Sequence, residues 1–282
     1  MRPSALAFLG VVLLAPAAAP LAGCEKPEPR TALSYTADAK RAYDEAMKEF
    51  ESHNWIECQA LFREVKRKYS YTKYARLAEL RIADADFEQE KYSEAIRGYR
   101  QFVHDHRSDV EEVAFARSRI AEAQYRQISE SLLLPSADER DQAVILDAFK
   151  ELKSFVHDYP NAKESTKIRE LLADVTARLM RHELYVARFY LHRDNFDAAV
   201  LRIQYAMRTF AGGPQMRGAS LSDDIDSGLE AEALLLLAEV YLKMHRFSDA
   251  RDTLQALLRD YPRSPLVVQA NNYLTYMKER GV

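Results

Sequence analysis

The side chains able to do chemistry are easily named in this 282-residue sequence, and most of them are badly spaced for it. "HELYV", from His182 to Val186, begins like the H-E-x-x-H helix of a zinc protease, but Val186 stands where the second histidine must be. Without a second imidazole one helical turn away, that face cannot hold Zn²⁺. His104 and His106 are two residues apart near a helix end, so their rings point in different directions. The other histidines are scattered singly near turns. Acids and serines are plentiful, yet no nucleophile, base and orienting group are set together by spacing. The expectation is a protein with no catalytic residues, no metal and no cofactor.

Two thiols remain. Cys24 follows Met1-Arg2, an apolar stretch from Ala5 to Leu14, and small residues up to Gly23, which is the layout of a secretory signal. The apolar stretch is too short for a membrane span, which needs about 20 residues. An ordinary cleavage site at Ala17-Ala18-Ala19 would leave Pro20 directly after the cut, where its fixed φ and missing N–H suit a protease poorly. Leu21-Ala22-Gly23-Cys24 is the better reading: it resembles a bacterial lipobox, in which the cysteine is acylated and becomes the first residue. The alternative is a plain secreted protein with a stray cysteine. More than one acyl chain, at about 0.8 kcal/mol per buried CH₂, makes a stable anchor. Glu25 after the cysteine weighs weakly toward the outer membrane. Residues 1–23 are thus assigned to a lipoprotein signal peptide and 24–36 to a lipid-anchored tether. Cys58 has no partner once Cys24 is acylated.

Removing residues 1–23 leaves 39 Lys and Arg against 43 Asp and Glu, which argues against bulk nucleic-acid binding. Between Gly23 and Gly212 the sole glycine is Gly98, so no phosphate-cradling loop can be built and helices dominate. No alternating strand-like run is present, and the class is all-α. Five segments share one pattern: an aromatic or other bulky apolar start, a small residue, a bulky residue four further on, and a turn often marked by Tyr-Pro. They are "WIECQALFREVKRKYS", "YSEAIRGYRQFVHDHR", "LDAFKELKSFVHDYP", "FDAAVLRIQYAMRTFA" and "FSDARDTLQALLRDYP". The small residues are Cys58, Ala95, Ala148, Ala199 and Ala250; the bulky ones are Phe62, Tyr99, Leu152, Ile203 and Leu254.

A small residue lets a neighbouring helix approach, and the bulky one fills the gap a turn later on the same face. This is the second helix of a tetratricopeptide repeat, and a partner helix precedes it each time. The fold expected is an α-solenoid of five tetratricopeptide-like helix pairs with a capping helix from Ser264 to Arg280. The small residues are 37, 53, 51 and 51 apart, against about 34 for an ideal repeat. The surplus falls in a loop at 129–142, in a long helix from about Lys163 to His192, and in a Gly, Ser and Asp cluster at 211–228. Cys58 then has a packing role in the small-residue slot. Tyr69, Tyr159 and Tyr261 end second helices and cover the inter-repeat core.

The string "ELYVARFYLHRDNFDAAVLRIQYAM", residues 183–207, with the "DERDQ" loop, the "AFKELKSFVHDYPNAK" segment and the lipobox in the same order, resembles the BamD family. These are tetratricopeptide lipoproteins of the outer-membrane β-barrel assembly machinery. The likeness covers nearly the whole mature chain. It implies a non-enzymatic scaffold on the periplasmic face of the outer membrane. Repeats 1–3 (37–160) would receive unfolded β-barrel precursors. Repeats 4–5 with the cap (161–282) would dock onto periplasmic domains of a BamA-like barrel-inserting subunit, in company with other lipoproteins of the complex. By position in the motif, Arg202 is the residue for partner contact or for coupling the two ends, with Tyr190 and Arg193 supporting; an ion pair from Arg202 to Glu183 is the structural alternative. Tyr71, Tyr74 and Arg76 are placed in the substrate groove from repeat position alone. Arg107 and Ala211 depart from the proline that often ends a repeat, and the 211–228 loop is long for the family. Two other readings stay open: a periplasmic repeat lipoprotein serving envelope division or pilus and secretin assembly, and a lipid-anchored enzyme, which would need a polar pocket with a strongly shifted titratable group.

Overall fold

The computed structural model describes residues 31–128, 142–211 and 228–282; Cys24, most of the 129–142 segment and residues 212–227 lie outside them. Among the described residues there are eleven α-helices and no strand. The repeats are α1 (Ala32–Glu51) with α2 (Trp55–Lys68), α3 (Lys73–Glu88) with α4 (Tyr92–Asp105), α5 (Val110–Arg126) with α6 (Ala143–Asp158), α7 (Ser165–Leu191) with α8 (Phe196–Phe210), and α9 (Glu230–Lys243) with α10 (Phe247–Asp260). Helix α11 (Val267–Glu279) caps the stack. Successive helices pack on one another, and α1 on α3 and α5 on α7 join neighbouring first helices. This is the all-α tetratricopeptide solenoid that the small-and-bulky pattern predicts. All five small residues and all five bulky ones are fully buried.

The turn inside a repeat is built the same way four times. His53, Glu90, Asp194 and His245 adopt φ between 58° and 61°. Each is followed by a residue near φ −85° and ψ +65°, and then by the aromatic that opens the second helix: Trp55, Tyr92, Phe196 and Phe247. The N–H after each left-handed residue bonds the carbonyl five residues earlier, as in Asn54 to Glu49, Lys91 to Asp86, Asn195 to Tyr190 and Arg246 to Tyr241. A left-handed conformation costs a side-chain-bearing residue about 1–2 kcal/mol. In the two histidine turns the ring contacts the following aromatic, 5.1 Å from His53 to Trp55 and 5.8 Å from His245 to Phe247. Glu90 has no ring to contribute. Glu90→Gly is therefore expected to stabilise the protein by about 0.5–1 kcal/mol, seen as a higher urea midpoint at unchanged slope.

One departure from expectation, the start of α1, and two further local features have plain causes. Helix α1 starts at Ala32, inside the segment read as tether, because Thr31 caps it by accepting the Ser34 N–H and Tyr35 packs on Tyr69 at 5.2 Å. Gly98 is explained by packing: a Cβ there would lie 3.0 Å from the Ala83 Cβ, where α4 crosses α3. In the second repeat His106 takes the helix-ending place that Tyr69, Tyr159 and Tyr261 hold elsewhere. Its ring lies 4.5 Å from Phe102 and its Nε2 is 3.0 Å from Glu79. The long helix is α7, 27 residues from Ser165 to Leu191, without an internal break.

Cys58 is buried with its Sγ 3.3 Å from the Trp55 carbonyl, and burial raises its pKa. A buried thiol kept protonated is a packing group and a poor nucleophile. Native protein is expected to react with a disulfide reagent at least about 100-fold more slowly at Cys58 than urea-unfolded protein does, followed by mass of the labelled peptide.

Candidate partner-binding faces of the solenoid

Repeat 4 carries most of the residues singled out for docking. Helix α7 and helix α8 form a hairpin whose turn is held by Asn195, which accepts the Ala198 N–H. Arg193 sits in that turn with its guanidinium 4.2 Å above the Phe189 ring, and Tyr190 meets Phe189 edge-on at 5.7 Å. Tyr190, Phe189 and Arg193 are thus one cluster at the hairpin tip. Arg202 lies about 9 Å along α8 from its first residue. Its Nη1 is 3.2 Å from Glu183 Oε2 on α7, with the arginine side chain 44% exposed and the glutamate 9%. The ion pair and a half-exposed arginine side chain therefore coexist.

Sequence reading missed four large apolar side chains on the same hairpin. Tyr185 and Phe189 on α7, and Leu201 and Tyr205 on α8, are all substantially exposed. Each pair is spaced i, i+4, so each forms one stripe on its helix. The signal was present, since these positions fall off the buried face in an otherwise amphipathic pattern. A short ion pair from Arg188 to Glu232 then ties α7 to α9 beside Tyr185 and Phe189.

The three residues assigned to the substrate groove separate. Tyr74 on α3 lies 5.7 Å from Tyr43 on α1, between the first helices of repeats 1 and 2. Arg76 is held by Asp109 at 2.8 Å, across to the start of α5. Tyr71 is in the turn between α2 and α3 with its side chain 95% exposed. Tyr74 with Tyr43 is the pair that faces a neighbouring first helix.

A second feature went unread: a run of charge through repeats 1 to 4, buried at Asp84 and Glu122 and open to solvent at Glu88 and Lys167. Arg81 on α3 donates to the Tyr43 hydroxyl at 3.3 Å and makes a short ion pair with Asp84. The Tyr99 hydroxyl on α4 donates to Asp84 in turn. Arg119 on α5 donates to the Tyr99 oxygen at 3.3 Å and lies 3.5 Å from Asp84, 3.0 Å from Glu88 and 3.3 Å from Glu122. Lys167 on α7 completes the run, 2.8 Å from Glu122. Arg119 also stacks its guanidinium 3.7 Å above the Phe87 ring. Burial raises the Asp84 pKa despite its arginines, and raises that of Tyr99, whose phenol stays protonated. Burial works against charge on Arg119 and Arg81, but Tyr99, Asp84, Glu122 and Tyr43 more than offset it. The sequence signal is a near-repeat at a spacing of 38, "RIADA" at 81–85 and "RIAEA" at 119–123.

The position of this run matters for the solenoid. Among the described residues the buried apolar side chains fall into three clusters: Ala39 to Ala85 around repeat 1, Leu80 to Ala123 around repeat 2, and Ala121 to Met277 for the rest. Tyr43 to Arg81 crosses the first seam, and Arg119 to Glu122 to Lys167 crosses the second. Where the greasy core is divided, charge-assisted hydrogen bonds join the pieces.

Among the described residues no three His, Cys, Asp or Glu side chains are grouped to hold a metal ion, and no helix is long and apolar enough to cross a membrane. His182 stands on α7 without a second histidine a turn away.

Comparison with known proteins gives these results. Residues 36–232 match a family model described as "Outer membrane lipoprotein", and residues 224–270 match a tetratricopeptide-repeat model. A curated relative from Neisseria meningitidis serogroup A, "Outer membrane protein assembly factor BamD", is 22% identical over 240 residues, covering 82% of each chain. One of the same name from Caulobacter vibrioides is 25% identical over 259 residues, covering 91% of this chain and 77% of the relative. A solved structure, the TPR2AB-domain:pHSP90 complex of yeast Sti1, aligns at 13% identity and a TM-score of 0.41 over 80% of this chain and 78% of that one, a likeness too loose to carry an argument.

Proposed function

Since the chain belongs to the outer membrane lipoprotein family, whose model it matches over residues 36–232, we propose that it is an outer-membrane protein assembly factor held to the membrane by a lipid on Cys24 and facing the periplasm. The observation that carries this reading is that match, which runs through the first four repeats, together with relatives named as assembly factors over most of the chain. The work is recognition: a stack of helix pairs offers an extended surface to peptide or domain, and no bond need be made or broken.

The two ends take different partners in this reading. Repeats 4 and 5 with the cap dock onto periplasmic domains of a BamA-like barrel protein, through the hairpin bearing Arg202, Tyr190 and Arg193 and its exposed Tyr185, Phe189, Leu201 and Tyr205 stripes. Aromatic and arginine side chains on a rigid hairpin are the usual anchors of such contacts. Repeats 1 to 3 receive unfolded β-barrel precursors along the first-helix face that includes Tyr43 and Tyr74.

Affinity purification of the tagged full chain from detergent-solubilised outer membrane tests the reading. A β-barrel protein with repeated periplasmic domains is expected to co-purify in near-equal amount. Recovery of secretin or division proteins in its place would overturn the assignment.

A further inference from the structure

The corner between α2 and α3 gathers positive charge around an exposed aromatic. Residues 65–76, "VKRKYSYTKYAR", carry Lys66, Arg67, Lys68, Lys73 and Arg76 and no acid. Two of these are neutralised within the fold, Lys66 by Glu79 at 3.2 Å and Arg76 by Asp109 at 2.8 Å. Arg67, Lys68 and Lys73 are exposed. Lys68 and Lys73 lie over the Tyr69 and Tyr74 rings, 5.6 Å and 5.3 Å from their centroids. Asp38, Glu45 and Glu64 are the acids near Lys68, in a shallow hollow between α1 and α2. At the apex stands Tyr71, the most exposed of the large apolar side chains among the described residues. An exposed aromatic flanked by lysine and arginine is the composition found where protein meets the headgroup region of a bilayer.

The fold places this corner beside the point where the chain arrives from Cys24. Because α1 and α2 are antiparallel, the start of α1 lies against the end of α2: the Tyr35 hydroxyl donates to the Lys68 carbonyl at 2.8 Å, and the Tyr35 and Tyr69 rings are 5.2 Å apart. Seven residues lie between Cys24 and Ala32, and the eight Cα-to-Cα steps span at most about 28 Å. A lipid on Cys24 therefore keeps the corner within one tether length of the bilayer, at high effective concentration, so that weak contacts suffice.

We infer that the α2–α3 corner, Arg67, Lys68 and Lys73 around Tyr71, docks on anionic phospholipid headgroups and sets the orientation of the solenoid on the membrane. This rests on the reading of Cys24 as the lipidated residue. The anchor alone would let the solenoid pivot; the corner supplies a second point of attachment and turns the first repeat toward the surface. Each cation near an anionic surface contributes about five-fold in partitioning, so three contribute about 100-fold, screened by salt.

The test uses the full lipidated chain in proteoliposomes with Ser70→Cys, exposed in the same turn, as a reporter that leaves Tyr71 and the three cations in place, Cys58 being buried and quiet. A membrane-impermeant maleimide is expected to label Ser70→Cys about ten-fold more slowly in phosphatidylglycerol-containing vesicles than in pure phosphatidylcholine. A reporter at Asp252→Cys on α10 should show no difference. Adding Arg67→Gln, Lys68→Gln and Lys73→Gln, or high salt, should abolish the protection, with helical circular dichroism unchanged. Equal labelling in both lipids, from protein that floats with the vesicles, overturns the corner proposal and leaves the anchor standing. Protein that does not float overturns both. Protection that follows added β-barrel-precursor peptide in phosphatidylcholine, and not headgroup charge, overturns it in favour of peptide recognition.

Discussion

Arg119→Met is expected to lower the unfolding free energy by about 3 kcal/mol and the melting temperature by about 6–12 °C, the largest loss from any single substitution outside the apolar core. The arginine touches three acids, Asp84, Glu88 and Glu122, and the Tyr99 oxygen. Methionine keeps much of the contact with Phe87 but leaves the buried Asp84 to Arg81 and the Tyr99 hydroxyl, and the buried Glu122 to Lys167 and a 3.9 Å contact from Arg126. Removing one member of a buried ionic group costs more than the group is worth, because the charges left behind stay desolvated. That argument has a second consequence. Asp84→Asn should cost about 1–2 kcal/mol in the native background and close to nothing in Arg119→Met, since a neutral amide no longer needs the missing cation. Equal cost in both backgrounds, measured by urea unfolding, would show that the two residues act independently. A solenoid is held repeat by repeat, and this run crosses the seams between apolar clusters. Hydrogen exchange in Arg119→Met should therefore show α1 to α4 losing protection before α7 to α11.

The ease with which the repeats can be read from sequence has the same physical origin as their stability. One position, small at Cys58, Ala95, Ala148, Ala199 and Ala250, must admit a neighbouring helix, and the position four later must fill the space so opened. Steric demand of that kind leaves few residue choices and repeats with the fold, so the pattern is visible without coordinates. Helix α7 was visible for a related reason, since its apolar period continues through 27 residues without a breaker. Tyr71, Tyr74 and Arg76 fared differently. Repeat position says which helix a residue is on but not whether a neighbouring acid claims it, as Asp109 claims Arg76. The charge run was hidden by composition: arginine and aspartate at i, i+3 look like any solvated helix surface until Tyr99 and Arg119 arrive from two other helices. Only the recurrence of "RIADA" as "RIAEA" marked it.

Arg202→Glu should abolish co-purification of the barrel protein and also cost about 1–3 kcal/mol of stability, because it sets a carboxylate against the buried Glu183. Loss of binding in this variant alone is ambiguous, since a weakened hairpin could misplace the whole docking face. The charge swap Glu183→Lys with Arg202→Glu separates the two causes. It restores an ion pair between α7 and α8, so the melting temperature should return to within about 2 °C of the native protein. The exposed half of the side chain, however, now presents an anion where the proposed docking needs a guanidinium, and reversing the sign of an interface charge costs about 2–5 kcal/mol when the opposing group is desolvated. Co-purification should therefore stay at least about 30-fold down in the swapped protein, matching the lower end of that range. Recovery of both stability and binding would reduce Arg202 to an internal strut, and the docking role would pass to Tyr185, Phe189, Leu201 and Tyr205, whose exposure the ion pair does not account for.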